Sequence, residues 1–452
     1  MPEPDERLAP APPDLPPDPG TEGMPTGWRA VVPDLRPLRR HRDYRLLTLG
    51  QSVSFFGSMV TYVAVPYQVY ELTDSSLAVG LLGVVQLAAI FSLAFLGGAL
   101  ADAADRRWLV RAAEAGELGC CLALLGNSSL DQPPVWPVFV LAGAMAGLNA
   151  IQRPALQGLA PRIVDRDELT AAGAIDALTH TVGMVAGPAF AGVLLAGPGL
   201  EVAYAVDAAT FAVSLVALTL MRASPPPPDA ERPSLGRVVE GLRYARSRPE
   251  LIGTYLVDMA AMFFGMPMAL FPELAQRYGG SAALGALYAA PSVGAFLATV
   301  TSGWTSRVHR HGRAITLAAG GWGLAIVGFG LAPWLWLALL ALAAAGFADM
   351  VSGIFRMSIW NRTIPDHLRG RLASIEMLSY TSGPLLGNAE AGAAASLFGV
   401  RASVVSGGVL CVMAVAGTAA ALPALWTYDA RRDLQESDIS PSNPGEGDAL
   451  LS

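Results

Sequence analysis

Runs of about 20 apolar residues, each long enough to cross roughly 30 Å of hydrocarbon as a helix, follow one another along this chain with only short polar breaks between them. They fall near residues 45–70, 76–101, 108–129, 135–158, 169–196, 200–221, 250–274, 281–306, 313–332, 334–361, 371–397 and 400–426. On the hydropathy rule these make about twelve membrane spans. Bulk composition agrees, since 53% of the 452 residues are hydrophobic and 15% charged, with a mean hydropathy of +0.43. A water-soluble chain of this length is not so apolar, so most of this one belongs in lipid.

Positive charge sets the orientation. The chain has no lysine, and its arginines crowd alternate breaks. Arg36, Arg39, Arg40, Arg42 and Arg45 precede the first window, Arg106, Arg107 and Arg111 follow the second, and Arg153, Arg162 and Arg166 surround the end of the fourth. The pattern repeats after the sixth, eighth and tenth windows and in Arg431 and Arg432, whereas the opposite breaks hold only Arg277 and Arg401. The positive-inside rule then expects a multi-pass protein of the plasma (inner) membrane with both termini cytoplasmic.

The first forty residues, rich in Pro, Asp and Glu, lack the charged-then-apolar layout of a signal peptide and read as a disordered tail. The segment after Trp426 reads the same way. The net charge of −7 comes largely from acidic residues in tails and loops and points to no nucleic-acid partner. Cys120, Cys121 and Cys411 sit inside windows, which suggests no extracellular disulfide framework. The stretch ASPPPPDAERPS, Ala223 to Ser234, is the strong internal boundary and divides the windows six and six. The expected organisation is a tail over 1–42, a six-helix bundle over 43–222, a cytoplasmic linker over 223–249, a second six-helix bundle over 250–427, and a tail over 428–452.

A six-and-six division invites a search for a repeat. PRIVDRDELTAAGAIDAL, after the fourth window, is matched by NRTIPDHLRGRLASIEML, after the tenth. Asp176 and Glu376 take similar places in the two copies, as do Gly187-Pro188 and Gly383-Pro384. The halves look like duplicated bundles around a shared pathway.

Two further motifs stand out. GALADAADRR carries Gly98, Asp102, Arg106 and Arg107 at the spacing Gly-x-x-x-Asp-(Arg/Lys)-x-Gly-Arg-(Arg/Lys), with Ala103 in place of the first basic residue and Asp105 in place of the second glycine. GMVAGPAFAG carries Gly183, Gly187, Pro188 and Gly192 at the spacing Gly-x-x-x-Gly-Pro-x-x-Gly-Gly, with Ala191 departing. On these motifs, residues 40 to 426 resemble the major facilitator superfamily. The stretch AMFFGMPMALFPELAQRYGGSAALGALYAAPSVGAFLATVTSG resembles its branch of enterobactin exporters and drug-efflux proteins. The resemblance implies an all-α membrane fold of twelve transmembrane helices in two pseudo-symmetric six-helix bundles. It also implies that Asp102 meets the start of the eleventh span, whose free amides favour an anion, as a latch on the inner gate. The fifth-span motif tracks in the family with export rather than uptake. Glycines four apart also let another helix approach closely, so simple packing is the alternative account of that motif.

Charge inside the windows is the other functional signal. An aspartate at mid-membrane costs about 2.5–3.5 kcal/mol on insertion scales, so it normally faces a wet cavity or a partner. Asp176 and His180 are four apart, on one helical face, and such a pair can exchange protons near neutrality. A hydrogen-bonded pair that merely fixes the helix is the alternative. Asp258 lies in the seventh window, and Asp349 in the tenth with Arg356 two turns on. The family cavity is lined by spans one, four, seven and ten, so the resemblance favours Asp258 and Asp349. A buried structural ion pair is the alternative for Asp349 and Arg356. Glu114, Glu117, Asp207, Glu376 and Glu390 compete for the same role. Phe55, Phe56, Tyr67, Phe263, Phe264 and Trp360, with Gln51, Gln68, Asn149 and Gln152, suggest room for an aromatic, amphiphilic solute, although interfacial anchoring would explain the aromatics as well.

Several chemistries are excluded. Without lysine there is no Walker-type phosphate loop, and neither GxSxG nor HExxH occurs. The expectation is therefore a secondary transporter and not an enzyme, with no cofactor and no metal. It exports a small amphiphilic molecule (a siderophore, drug or secondary metabolite) in exchange for protons, as a monomer in the bilayer. A facilitator or importer, and a membrane sensor or assembly partner that does not transport, are the alternatives.

Overall fold

The computed structural model describes residues 34–103, 105–222, 243–244, 246–364 and 366–431, without the side chains of 94–103 and 366–379. The expected tails before residue 34 and after 431, most of the linker, and the side chains of Gly98, Asp102 and Glu376 lie outside the described residues.

The regular structure among these residues is helical. Long helices run α1 Arg42–Thr73, α2 Ser76–Ala103, α3 Arg106–Ser128, α4 Trp136–Gln157, α5 Leu169–Ala196 and α6 Leu200–Leu220, then α7 Pro249–Phe264, α8 Ser281–Val300, α9 His311–Leu331, α10 Leu335–Thr363, α11 Asp366–Phe398 and α12 Val400–Ala421. Nine segments among the described residues are long and apolar enough to cross a membrane. The helices α3, which carries Arg111, Glu114 and Glu117, and α4, whose second half carries Gln152 and Arg153, are more polar. This is an all-helical membrane fold, as expected where each backbone amide in lipid must be satisfied within its own segment.

Short turns join the helices at the arginine-poor end. Asp74, at φ 48°, ends α1 and sends its amide back to the Tyr70 carbonyl at 2.7 Å. A single residue, Gly399 at φ 85°, joins α11 to α12, a conformation that costs a side chain dearly. At the other end the first turn of α3 is capped by Asp105, whose carboxylate accepts from the amides of Arg107 at 2.9 Å and Trp108 at 3.4 Å. A glycine could not do this, which accounts physically for the departure from the loop motif. Ahead of α1, within the segment expected as tail, the short helix Arg36–Arg40 is followed by an anchor. Arg40 and His41 reach the fully buried Glu168 at 2.9 and 3.1 Å.

Lipid tails are as apolar as leucine, so helices associate in a membrane through close packing rather than water exclusion. The α1 helix packs on α5 and α6, α2 on α4, and α3 on α4 and α6. In the second half α8 and α9 pack on α10, α9 on α12, and α7 on α11 and α12. Two seams, α2 on α11 and α5 on α8, join the halves. Glycine makes both seams possible. A Cβ at Gly192 would fall 2.8 Å from the Gly285 Cα, and one at Gly83 would fall 2.3 Å from the Leu385 carbonyl oxygen. Gly183 and Gly187 face Phe55 and Met59 of α1, so the glycines of the fifth-helix motif serve two different neighbours.

The window at 250–274 differs from a continuous helix. The α7 helix stops at Phe264, and after Gly265 and Pro267 the chain resumes as a 3-10 turn, Met268–Leu270, and a short helix, Phe271–Tyr278. Proline lacks the amide to continue the ladder, and irregular backbone at membrane depth needs protein partners. It has them. The Trp322 indole donates to the Gly265 carbonyl at 3.0 Å, Tyr288 donates to the Met268 carbonyl at 3.2 Å, and Asn388 accepts from the Ala269 amide at 3.0 Å.

Candidate functional site

Beneath this break lies a cavity of about 250 Å³, walled by α1, α2, α3, α4, α6, α8 and α11. Its lining is amphiphilic. Met59, Met145, Met266 and Met268 supply soft apolar surface, and Thr61, Tyr62, Gln86, Glu117, Asn149 and Asn388 supply polar groups. Tyr62 and Tyr288 meet edge to face with centroids 5.5 Å apart, and the Tyr62 hydroxyl contacts the Met268 sulfur at 3.0 Å. Of the polar residues singled out in the sequence as solute-facing, Asn149 lines this cavity. The methionines and the two tyrosines carry no such signal in the sequence, because nothing in a one-dimensional pattern separates cavity-facing from helix-facing positions in an apolar window.

Behind the cavity the first six helices bury three carboxylates. Glu114 of α3 accepts through one oxygen from Gln51, from Ser214 at 3.0 Å and from Gln152 at 3.3 Å. Its other oxygen is buried with no hydrogen-bond partner among the described residues. Asp207 of α6 is fully buried and accepts from Thr61, from Cys121 at 3.2 Å and from Thr210 at 3.2 Å. Glu117, one turn along α3 from Glu114, stands on the cavity wall. Gln51 and Gln152, expected on the solute path, thus serve Glu114, and Gln68 is held by Tyr204 at 2.7 Å and Asn127 at 3.2 Å.

A second charged site lies across the α7–α10 seam. Arg356 forms an ion pair with Asp258 and lies 3.8 Å from Asp349. The side chains of Asp258 and Arg356 are 8% and 13% exposed, and that of Asp349 is 42% exposed. One turn on, the Trp360 indole donates to Thr254 at 2.9 Å and its ring stacks on Tyr255. The structure therefore brings together all three of the charged residues read from the seventh and tenth windows, with Asp258 rather than Asp349 as the nearer partner of Arg356.

On α5, Asp176 and His180 lie one turn apart but engage different neighbours. Tyr44 donates to Asp176 at 3.2 Å, and the His180 ring stacks on Phe55 at 4.6 Å. The arginines of the loop motif act as staples. Arg106 donates to the Gly158 carbonyl at 3.0 Å, tying α3 to the end of α4, and Arg107 donates to the Met221 carbonyl beyond α6. Between the halves, Arg153 of α4 donates to the Tyr380 hydroxyl of α11 and lies over its ring.

Long apolar helices around an amphiphilic cavity fit a membrane transport protein for small solutes. The chain belongs to the major facilitator superfamily, for the model of the transmembrane secretion effector family matches residues 33–443. It is 30% identical over 383 residues to the enterobactin exporter EntS of Escherichia coli O81 (strain ED1a), a match covering 83% of this chain and 90% of that one. The EntS protein of Escherichia coli O1:K1 / APEC matches to the same extent. In fold it is similar to a bacterial homologue of the human lysosomal transporter Spinster, inward-facing and unoccupied, with a TM-score of 0.67 at 18% identity, over 86% of this chain and 97% of that one. An inward-facing bacterial homologue of the iron transporter ferroportin gives 0.64 at 16% identity, over 85% and 99%. The protein is accordingly a secondary transporter and not an enzyme.

Proposed function

We propose that this protein exports a small amphiphilic solute, such as a siderophore, drug or secondary metabolite, across the cytoplasmic membrane in exchange for protons. Twelve helices cross the bilayer as two six-helix bundles that rock about the central cavity, with both termini cytoplasmic and the monomer as the working unit. The observation that carries this reading is the cavity, whose wall combines methionine and tyrosine surface with amides and a buried carboxylate. Its volume of about 250 Å³ is below the roughly 300–1,000 Å³ of sites that hold drug-sized molecules, so such a solute enters only when the seams between the halves part. The exporters of enterobactin at 30% identity support the direction and the solute class.

In this reading Asp258, Asp349 and Arg356 form the charged site of the second bundle, and Asp176 and His180 the titratable pair of α5. Gly183, Gly187, Pro188 and Gly192 form the sliding surface, and Gly98, Asp102, Arg106 and Arg107 the inner gate. Protonation of a cavity carboxylate biases which face is open. The test is proteoliposomes carrying an internal pH dye, challenged with enterobactin and with amphiphilic drugs. Solute-driven proton movement supports exchange, whereas solute movement without protons makes the protein a facilitator. Transport of none of these probes favours the sensor or assembly reading.

A further inference from the structure

Among the buried carboxylates, Glu117 is placed unlike the rest. It is 5% exposed, it lines the cavity, and its carboxylate has no hydrogen-bond partner among the described residues. Behind it stand Glu114, fully buried with one oxygen lacking a partner, and Asp207, fully buried among hydroxyl and thiol donors. Among the described residues no side chain that lines the cavity beside this cluster is positively charged, and Arg111, one turn before Glu114 on α3, does not line it. Helix α3 itself adds Cys120 and Cys121, and α6 adds Tyr204. Across the cavity stand Tyr62 of α1 and Tyr288 of α8, and α2 and α4 present only neutral side chains there. Asp258 differs, since Arg356 neutralises it directly.

Resting on the proton-exchange reading, we propose that Glu117 is the residue that binds and releases the transported proton in the cavity. Three negative charges confined among apolar helices repel one another, and neutral donors relieve that repulsion only in part. Glu114, through one oxygen, and Asp207 accept from fixed donors, and neither lines the cavity. Glu117 has no such donor and does have the cavity. When water enters from one side, a hydronium proton passes to a Glu117 carboxylate oxygen, an O–H bond forms, and the side chain goes from −1 to neutral. The neutral wall tolerates a closed, dry cavity. When the cavity opens to the other side, the O–H bond breaks, the proton leaves to water and the charge returns. No other reactant is required.

The experiment is infrared difference spectroscopy of the full chain in lipid nanodiscs on a pH step, reading the C=O stretch of protonated carboxyl groups without any solute. A titrating band that is lost in Glu117→Gln, displaced in frequency in Glu117→Asp and retained in Asp258→Asn supports the proposal. A band unchanged in Glu117→Gln, or lost in Asp258→Asn instead, overturns it. If Glu117→Gln fails to fold, the Glu117→Asp arm decides, and an undisplaced band overturns the assignment. Vesicle proton flux separates the two readings. Wild-type flux with a surviving Glu117→Gln flux sinks the assignment to Glu117 alone. A normal Glu117 band with no solute-driven flux in the wild type sinks proton exchange and leaves the protonation site standing.

Discussion

Replacing Arg356 by methionine removes the cation that faces Asp258 across the α7–α10 seam. The Asp258 side chain is 8% exposed, so the substitution strands a carboxylate away from water. Breaking a buried pair from one side costs about 3–5 kcal/mol. Asp349, at 3.8 Å and 42% exposed, adds little, because a half-solvated pair is worth about 0–1 kcal/mol. Removing the acid as well, in Arg356→Met with Asp258→Leu, deletes the stranded charge, and replacing a whole buried pair by apolar groups is about neutral or mildly stabilising. At roughly 2 °C per kcal/mol, the single variant is expected to lose about 6–10 °C in Tm and the double variant to recover most of it. Thermal unfolding in detergent, followed with a thiol-reactive fluorophore, reads this directly, because Cys120, Cys121 and Cys411 are free and buried. A double variant no more stable than Arg356→Met would refute the reasoning, since it would show that the loss comes from the arginine's packing and not from an uncompensated charge.

Two other perturbations use the same melting assay. Gly192→Val forces apart the α5 and α8 backbones where a Cβ already falls 2.8 Å from Gly285; overpacking of this kind costs about 1–3 kcal/mol, and an unchanged Tm would show that the seam is looser than its geometry. Asp105→Ala removes the cap of α3 at about 1 kcal/mol, whereas Asp105→Asn keeps an acceptor and is expected to retain most of the stability.

Much of the helical framework is legible in the sequence, because hydrocarbon thickness imposes a length on each apolar run and backbone facing lipid must satisfy its amides within its own segment. Gly192 and its partners in the fifth window were legible for a related reason, as close approach in a membrane needs small residues at a fixed spacing. The interruption of α7 was signalled by Gly265 and Pro267, yet the mean hydropathy of the window concealed it. The site was less legible. Asp258, Asp349 and Arg356 stand out in the sequence as costly charges, but which acid Arg356 holds depends on how α7 meets α10. By type and position Gln51 and Gln152 suit the solute path, and only the packing of α1 and α4 on α3 turns them toward Glu114.

Composition and local pattern by themselves settled that this chain lives in lipid as helices and carries ionisable groups at membrane depth, since each of these follows from transfer energies that act residue by residue, whereas its place among transporters rests on motifs shared with a family. The three-dimensional arrangement decided which of those groups are neutralised, which are sealed, and which one faces the cavity. Such distinctions arise from contacts between segments far apart in the chain, and no property of a single residue or its neighbours in sequence encodes them.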